Sequence, residues 1–147
     1  DLAGALIRPI EYSLLDPSIF SITEARKALK PPFNLAAECQ TKLQDFNRHN
    51  TCFDIVWAVH ALYAIPKHEL RSAVISMIRA LGYGDNNSGV GFIAHASLNS
   101  HYIKFFDKYL SGFKKEVGDP YTAAEQIISV LEQEGVSINI KEIKVVV

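Results

Sequence analysis

Five apolar residues in a row, Ile55-Val56-Trp57-Ala58-Val59, stand between the acidic Asp54 and the polar His60, and Pro66 closes the stretch. A short unbroken apolar run bounded by turn signals predicts a central strand covered on both faces, as in a parallel sheet. A buried helix is the competing reading; the shortness of the run and its β-branched and aromatic residues favour the strand. Open α/β sheets bind ligands outside the carboxyl ends of their strands. At that end this stretch carries His60 and Tyr63.

The rest of the chain alternates two periodicities. Asp1 to Arg8 fits the tail of a helix, with Leu2, Ala5 and Leu6 on one face. Ile10 to Leu15 reads as a strand that stops at Asp16-Pro17-Ser18, because proline cannot extend a ladder. Ser21 and Glu24 have the spacing of a capping box, and Ile22, Ala25, Ala28 and Leu29 form the apolar stripe of the helix behind it. Pro31-Pro32 ends that helix. Phe33 to Cys39 is a further strand, and the polar residues Gln40 to Asn50 are irregular or briefly helical.

Helical spacing of Leu70, Val74, Met77, Ile78 and Leu81 predicts a helix over 68–81, with Pro66 before it and Gly82 as its stop. A loop over Gly84 to Gly89 then leads to a buried strand, Val90 to Ala94, with His95 at its end. Asn99 or Ser100 caps a helix to Leu110 that turns Tyr102, Ile103, Phe106 and Leu110 to one side, and Gly112 to Pro120 reads as loop. Thr122 and Glu125 form a second capping box, for a helix that buries Ile127, Ile128 and Leu131 and stops at Gly135. Val136, Ile138 and Ile140 alternate as in a closing strand; Ile143, Val145 and Val147 alternate on the other parity, which places a bulge or turn near Lys141-Glu142. Strands separated by amphipathic helices predict one α/β domain over residues 1–147, a three-layer sheet with helices on both faces.

With 147 residues, 48% of them hydrophobic, the chain is long enough for one globular domain with a core. A formal charge of -1 gives no electrostatic reason to expect nucleic acid. No apolar run approaches the ~18 residues of a membrane span, and the amino end lacks the order of a signal peptide. Two cysteines, Cys39 and Cys52, are too few for a disulfide framework, so a reducing, cytoplasmic setting is the default.

Candidate chemistry is confined to a few positions. His95 and His101 lack the spacing of a helical metal pair, and Lys67-His68-Glu69-Leu70 lacks the second histidine of a zinc protease motif, so no metal is expected. The glycines at 82, 84 and 89 make no phosphate cradle. Asp16 reads either as a turn residue capping the next helix or as a strand-end carboxylate able to accept both hydrogen bonds of a vicinal diol. His60 is either a hydrogen-bonded strand-end histidine or a group that orients an acceptor amine or takes its proton. Tyr63 packs under the loop or faces a ligand. Tyr102 and Phe106, four residues apart, form either a core stripe or an aromatic box for a cation.

Taken in order, these pieces resemble a class I S-adenosylmethionine-dependent methyltransferase from its second strand onward. Asp16-Pro17-Ser18 after a strand is similar to the acidic motif that holds the cofactor's ribose. Phe53-Asp54-Ile55-Val56 with His60-Ala61-Leu62-Tyr63 resembles the family's fourth-strand motif, and the Thr122 helix, Gly135 and closing strand resemble its late helix-Gly-strand segment. Within the class the likeness is nearest to small-molecule members of the histamine N-methyltransferase type, and it covers most of residues 10 to 145. The resemblance implies a Rossmann-like methyltransferase fold, with methyl transfer from S-adenosylmethionine to a small-molecule acceptor. It assigns Asp16 to the ribose, Thr41 to the adenine side, Val59 to the cofactor's flank, and His60 with Tyr63 to the acceptor. Tyr102 and Phe106 fall on aromatic positions of the acceptor pocket. The family's glycine-rich first loop and antiparallel last strand are not found, so the expected fold is truncated at both ends. A catalytically inactive relative used as a binding or assembly module is the alternative.

Overall fold

The computed structural model describes residues 8–47, 52–82, 89–114 and 118–144. Its elements follow the alternation of the sequence: β1 (Ile10–Leu15), α1 (Ile19–Ala28), β2 (Phe33–Cys39), a single 3-10 turn at Leu43–Asp45, β3 (Ile55–Val59), α2 (Lys67–Ala80), β4 (Val90–Ala94), α3 (His101–Phe113) and α4 (Ala124–Gln133). Both strand pairs are parallel, β1 with β2 and β3 with β4. Parallel neighbours need a crossover, and here α1 and α2 supply it, so the chain contains two βαβ units. The result is a mixed α/β protein with two small parallel sheets and four helices. It divides into two compact units, residues 1–47 and 48–147.

In the first unit α1 lies along β1. Its start differs from the sequence expectation: Ser18 is the N-cap, its hydroxyl accepting from Ser21 N at 3.3 Å, and Ser21 is already inside the helix. The Asp16-Pro17 turn fixes this choice, because it releases the chain from β1 three residues before the expected cap. Ile22 is the buried anchor of the helix, and Leu29, whose N–H returns to the Ala25 and Arg26 carbonyls, ends it.

The second unit is built around α2. Leu70, Val74 and Met77 of the predicted stripe are buried, joined by Ala73 and Ala80, while Ile78 and Leu81 are only partly buried; Gly82 (φ 66°) provides the left-handed stop. That face meets α4, which contributes the buried Ile127, and Arg71 Nε reaches Glu134 Oε1 at 2.7 Å across the same contact. α3 begins at Ser100, whose hydroxyl accepts from Ile103 N at 3.2 Å, and it buries Ile103 and Leu110. It continues to Phe113, so Gly112 is helical and not part of the expected loop.

Three further expectations are corrected. β3 and β4 are not covered on both faces: Ile55, Trp57, Val59, Val90 and Phe92 are each at least half exposed, because only one face of the pair is packed. The closing strand is absent among the described residues, since 136–144 carries no ladder; alternation cannot make a strand without a neighbouring strand to bond. Thr122 does not cap α4. Its hydroxyl donates to Ile65 O at 2.8 Å, while Ala123 precedes the helix and its N–H is accepted by Gln126 Oε1 at 2.8 Å. The expected helix tail before Arg8 and the loop centred on Asp85 lie outside the described residues.

Candidate functional site

The parallel register pairs Val59 with Ala94, so His60 and His95 leave adjacent strands at the same level. His60 N donates to Ala94 O at 2.9 Å and closes the ladder. At that point the backbone of His60 turns into the left-handed region (φ 52°), an uncommon conformation for a residue with a Cβ and one that gathers at functional sites. The turn brings its ring back over Tyr63. Nδ1 of His60 lies 2.6 Å from the Tyr63 hydroxyl, and the rings are nearly parallel.

Tyr63 is buried and stands between the two histidines. Its ring stacks on His95 with centroids 4.0 Å apart. Its oxygen also accepts from Ala96 N at 3.2 Å, and burial raises its pKa, so the phenol keeps its proton. Two proton arrangements satisfy this geometry. In one the hydroxyl donates to His60 Nδ1. In the other His60 Nδ1–H donates to the phenol oxygen, which leaves the hydroxyl hydrogen and the bare Nε2 of the exposed imidazole free for a ligand.

His95 is held in a different state. Nε2 is 2.8 Å from the Thr122 carbonyl, so it must donate, and Nδ1 is then a lone pair, buried and without a hydrogen-bond partner. Burial lowers the His95 pKa; the Thr122 bond works against this and the nearby His60 adds to it. The pair is therefore divided, with an exposed imidazole at His60 and a neutral one at His95.

Tyr102, Phe106 and Tyr121 wall this end of the unit. Phe106 and Tyr121 stack at 3.5 Å and 3°, and Tyr63 contacts Tyr102 at 4.8 Å and Tyr121 at 5.5 Å. Burial, with Tyr102 beside it, raises the Tyr121 pKa. Two shallow hollows flank Tyr121. One of about 410 Å³ runs along Ile103, Leu110 and Tyr121 with Lys67 and Asp107 among its lining residues, and one of about 240 Å³ lies between Tyr63 and Asp119.

Of the residues singled out in the sequence, the structure thus brings His60, Tyr63, Tyr102 and Phe106 into one cluster. Tyr102 is half exposed and Phe106 partly so, which makes them a wall and not a core stripe. Asp16 and Thr41 come together separately, in the first unit: both backbone N–H groups donate to the Cys39 carbonyl, at 3.2 and 3.0 Å, at the carboxyl ends of β1 and β2. Asp16 Oδ1 accepts from Ser18 N at 2.7 Å. Val59 lies on the open face of β3, half exposed. Tyr121 carries much of the geometry with no signal of its own in the sequence, and the signal at Thr122 was for a helix cap that it does not make. His95 had one, its place at a strand end, which it shares with His60.

Among the described residues no three His, Cys, Asp or Glu side chains gather as a metal site, and no helix is long and apolar enough to cross a membrane. No family model, no curated protein and no solved structure matches the chain.

Proposed function

We propose that this chain has a Rossmann-like, three-layer methyltransferase fold and transfers a methyl group from S-adenosylmethionine to a small-molecule acceptor, an amine. The observation that carries the reading is the His60–Tyr63 pair, hydrogen-bonded at 2.6 Å at the carboxyl end of a parallel strand and walled by Tyr102, Phe106 and Tyr121.

The residues at the end of β1 fit the cofactor's ribose. Asp16 spends Oδ1 on the Ser18 turn and keeps Oδ2 for a hydroxyl, with Thr41 beside it at the end of β2. S-adenosylmethionine, when bound, supplies an electrophilic methyl group on a sulfonium. A protonated amine cannot attack it, so the acceptor must first lose a proton. His60 takes that proton at Nε2 while Nδ1–H bonds the Tyr63 oxygen, and the Tyr63 hydroxyl hydrogen orients the acceptor. The aromatic wall favours a cation before this transfer. His95, half-buried and with its pKa lowered, does not compete for the proton.

Calorimetric titration with S-adenosylmethionine tests the reading. Binding that Asp16→Ala abolishes supports it and justifies a screen of small amines for methyl transfer. Absence of binding in this chain and in any longer chain that contains it overturns it. A second reading, an inactive methyltransferase-like domain used for assembly, has one observation in its favour: the open apolar face of Ile55, Trp57, Val59, Val90 and Phe92.

A further inference from the structure

We propose that His95 is a positioning residue: through Thr122 it sets Tyr63 and Tyr121 in the places from which the acceptor site works. This inference rests on the proposed methyl transfer for its consequence but not for its geometry. Thr122 is fully buried and spends all three of its polar groups on the site. Its N–H donates to Tyr63 O at 3.0 Å, its hydroxyl donates to Ile65 O at 2.8 Å, and its carbonyl accepts from His95 Nε2 at 2.8 Å. The first two bonds fasten it to the turn after β3. The third fastens it to the end of β4.

Tyr121 immediately precedes this residue, and the stack of its ring on Phe106 at 3.5 Å depends on where Thr122 is held. On its other side His95 lies against the Tyr63 ring at 4.0 Å. One side chain thus serves as a flat surface for Tyr63 and as an N–H donor to Thr122. No other residue type of that size does both without bringing a charge or a hydroxyl. Phenylalanine offers the surface alone, and glutamine the donor alone. The assignment also explains why Nδ1 is left buried without a partner, an arrangement that costs stability. The ring is fixed by its opposite nitrogen and its face, and nothing remains to satisfy Nδ1.

Imidazole ¹⁵N spectra of the intact chain give the first test. His95 is expected as the neutral Nε2–H tautomer, with the shift of an unprotonated nitrogen at Nδ1. An Nδ1–H tautomer cannot donate to Thr122 and overturns the proposal at once. The second test compares His95→Phe and His95→Gln by aromatic nuclear Overhauser effects, which need no activity. Both variants are expected to lose the Tyr121–Phe106 and Tyr63–Tyr121 cross-peaks or to weaken them severalfold, with the methyl signals of Ile127 and Val74 unmoved. Retention of those cross-peaks in either folded variant overturns the inference, and if one variant fails to fold the other decides. Where methyl transfer to phenethylamine is found, both variants raise the amine KM about tenfold and leave the S-adenosylmethionine Kd unchanged. If the wild-type chain binds neither cofactor nor amine, the methyltransferase reading fails while the spectra still judge His95.

Discussion

Replacing Tyr63 by phenylalanine removes one oxygen that joins His60 Nδ1 to Ala96 N. The ring packing survives, but the Ala96 N–H loses its acceptor in a part-buried place, so a loss of about 1–3 kcal/mol is expected in urea unfolding. At His95 the effect depends on pH. Its pKa is lower in the folded chain than in the unfolded one, so between the two values the unfolded chain binds more protons. The contribution is fully present above about pH 6.5 and is lost as pH falls through the folded pKa. His95→Phe removes this dependence, and unfolding curves at pH 7.5 and 5 measure the difference. The tyrosines act with the opposite sign. Tyr63 and Tyr121 have raised pKa values, so stability falls as pH rises past their ordinary value of about 10.

At the scale of elements, the caps and glycines separate what propensity decides from what packing decides. Of the two residues expected to cap α3, Asn99 and Ser100, it is Ser100 whose hydroxyl holds Ile103 N; Ser100→Ala costs about 1 kcal/mol by thermal unfolding. Thr122 had the same credentials for α4 and serves a different purpose. The turn at Ile65 offers its hydroxyl a carbonyl acceptor in a fully buried place, and leaving that group unpaired there costs more than a missing helix cap. Gly89 is needed for space. A Cβ there would stand 2.8 Å from Phe53 O and 3.0 Å from Leu81 O, both backbone atoms that cannot turn aside. Gly89→Ala is therefore expected to lose about 1–3 kcal/mol in denaturant unfolding, by separating the end of α2 from the start of β4.

Burial across the second unit is lopsided. Ile127 of α4 and Val74 of α2 are almost wholly buried, whereas Trp57 and Phe92 are more than half exposed on the sheet. Ile127→Ala is expected to cost about 2–5 kcal/mol, and Phe92→Ser to stay within about 0.5 kcal/mol. A large loss from Phe92→Ser would show that something covers this face in solution. Parallel sheets are ordinarily covered on both sides, which is why the apolar run at Ile55 read as a strand enclosed on both faces. The run recorded the strand's character correctly. Its surroundings in this chain supply only one of the two layers.

Local chemistry was enough to determine the order of elements from β1 to α4, the stops at Gly82 and Gly135, and the placing of His60 and His95 at strand ends. Each depends on periodicity, on a missing Cβ or on a broken ladder, all of which act over a few residues. The expected strand over Val136 to Ile140 failed for the complementary reason, since a strand needs a partner that its own residues do not provide. The register that sets Val59 beside Ala94, the turning of His60 onto Tyr63, the use of Thr122 as a clamp and the arrival of Tyr121 against Phe106 were decided only by tertiary structure. They join residues that lie up to about sixty positions apart, and what selects them is the pairing of buried polar groups and the fit of rings, neither of which leaves a mark on the neighbouring sequence.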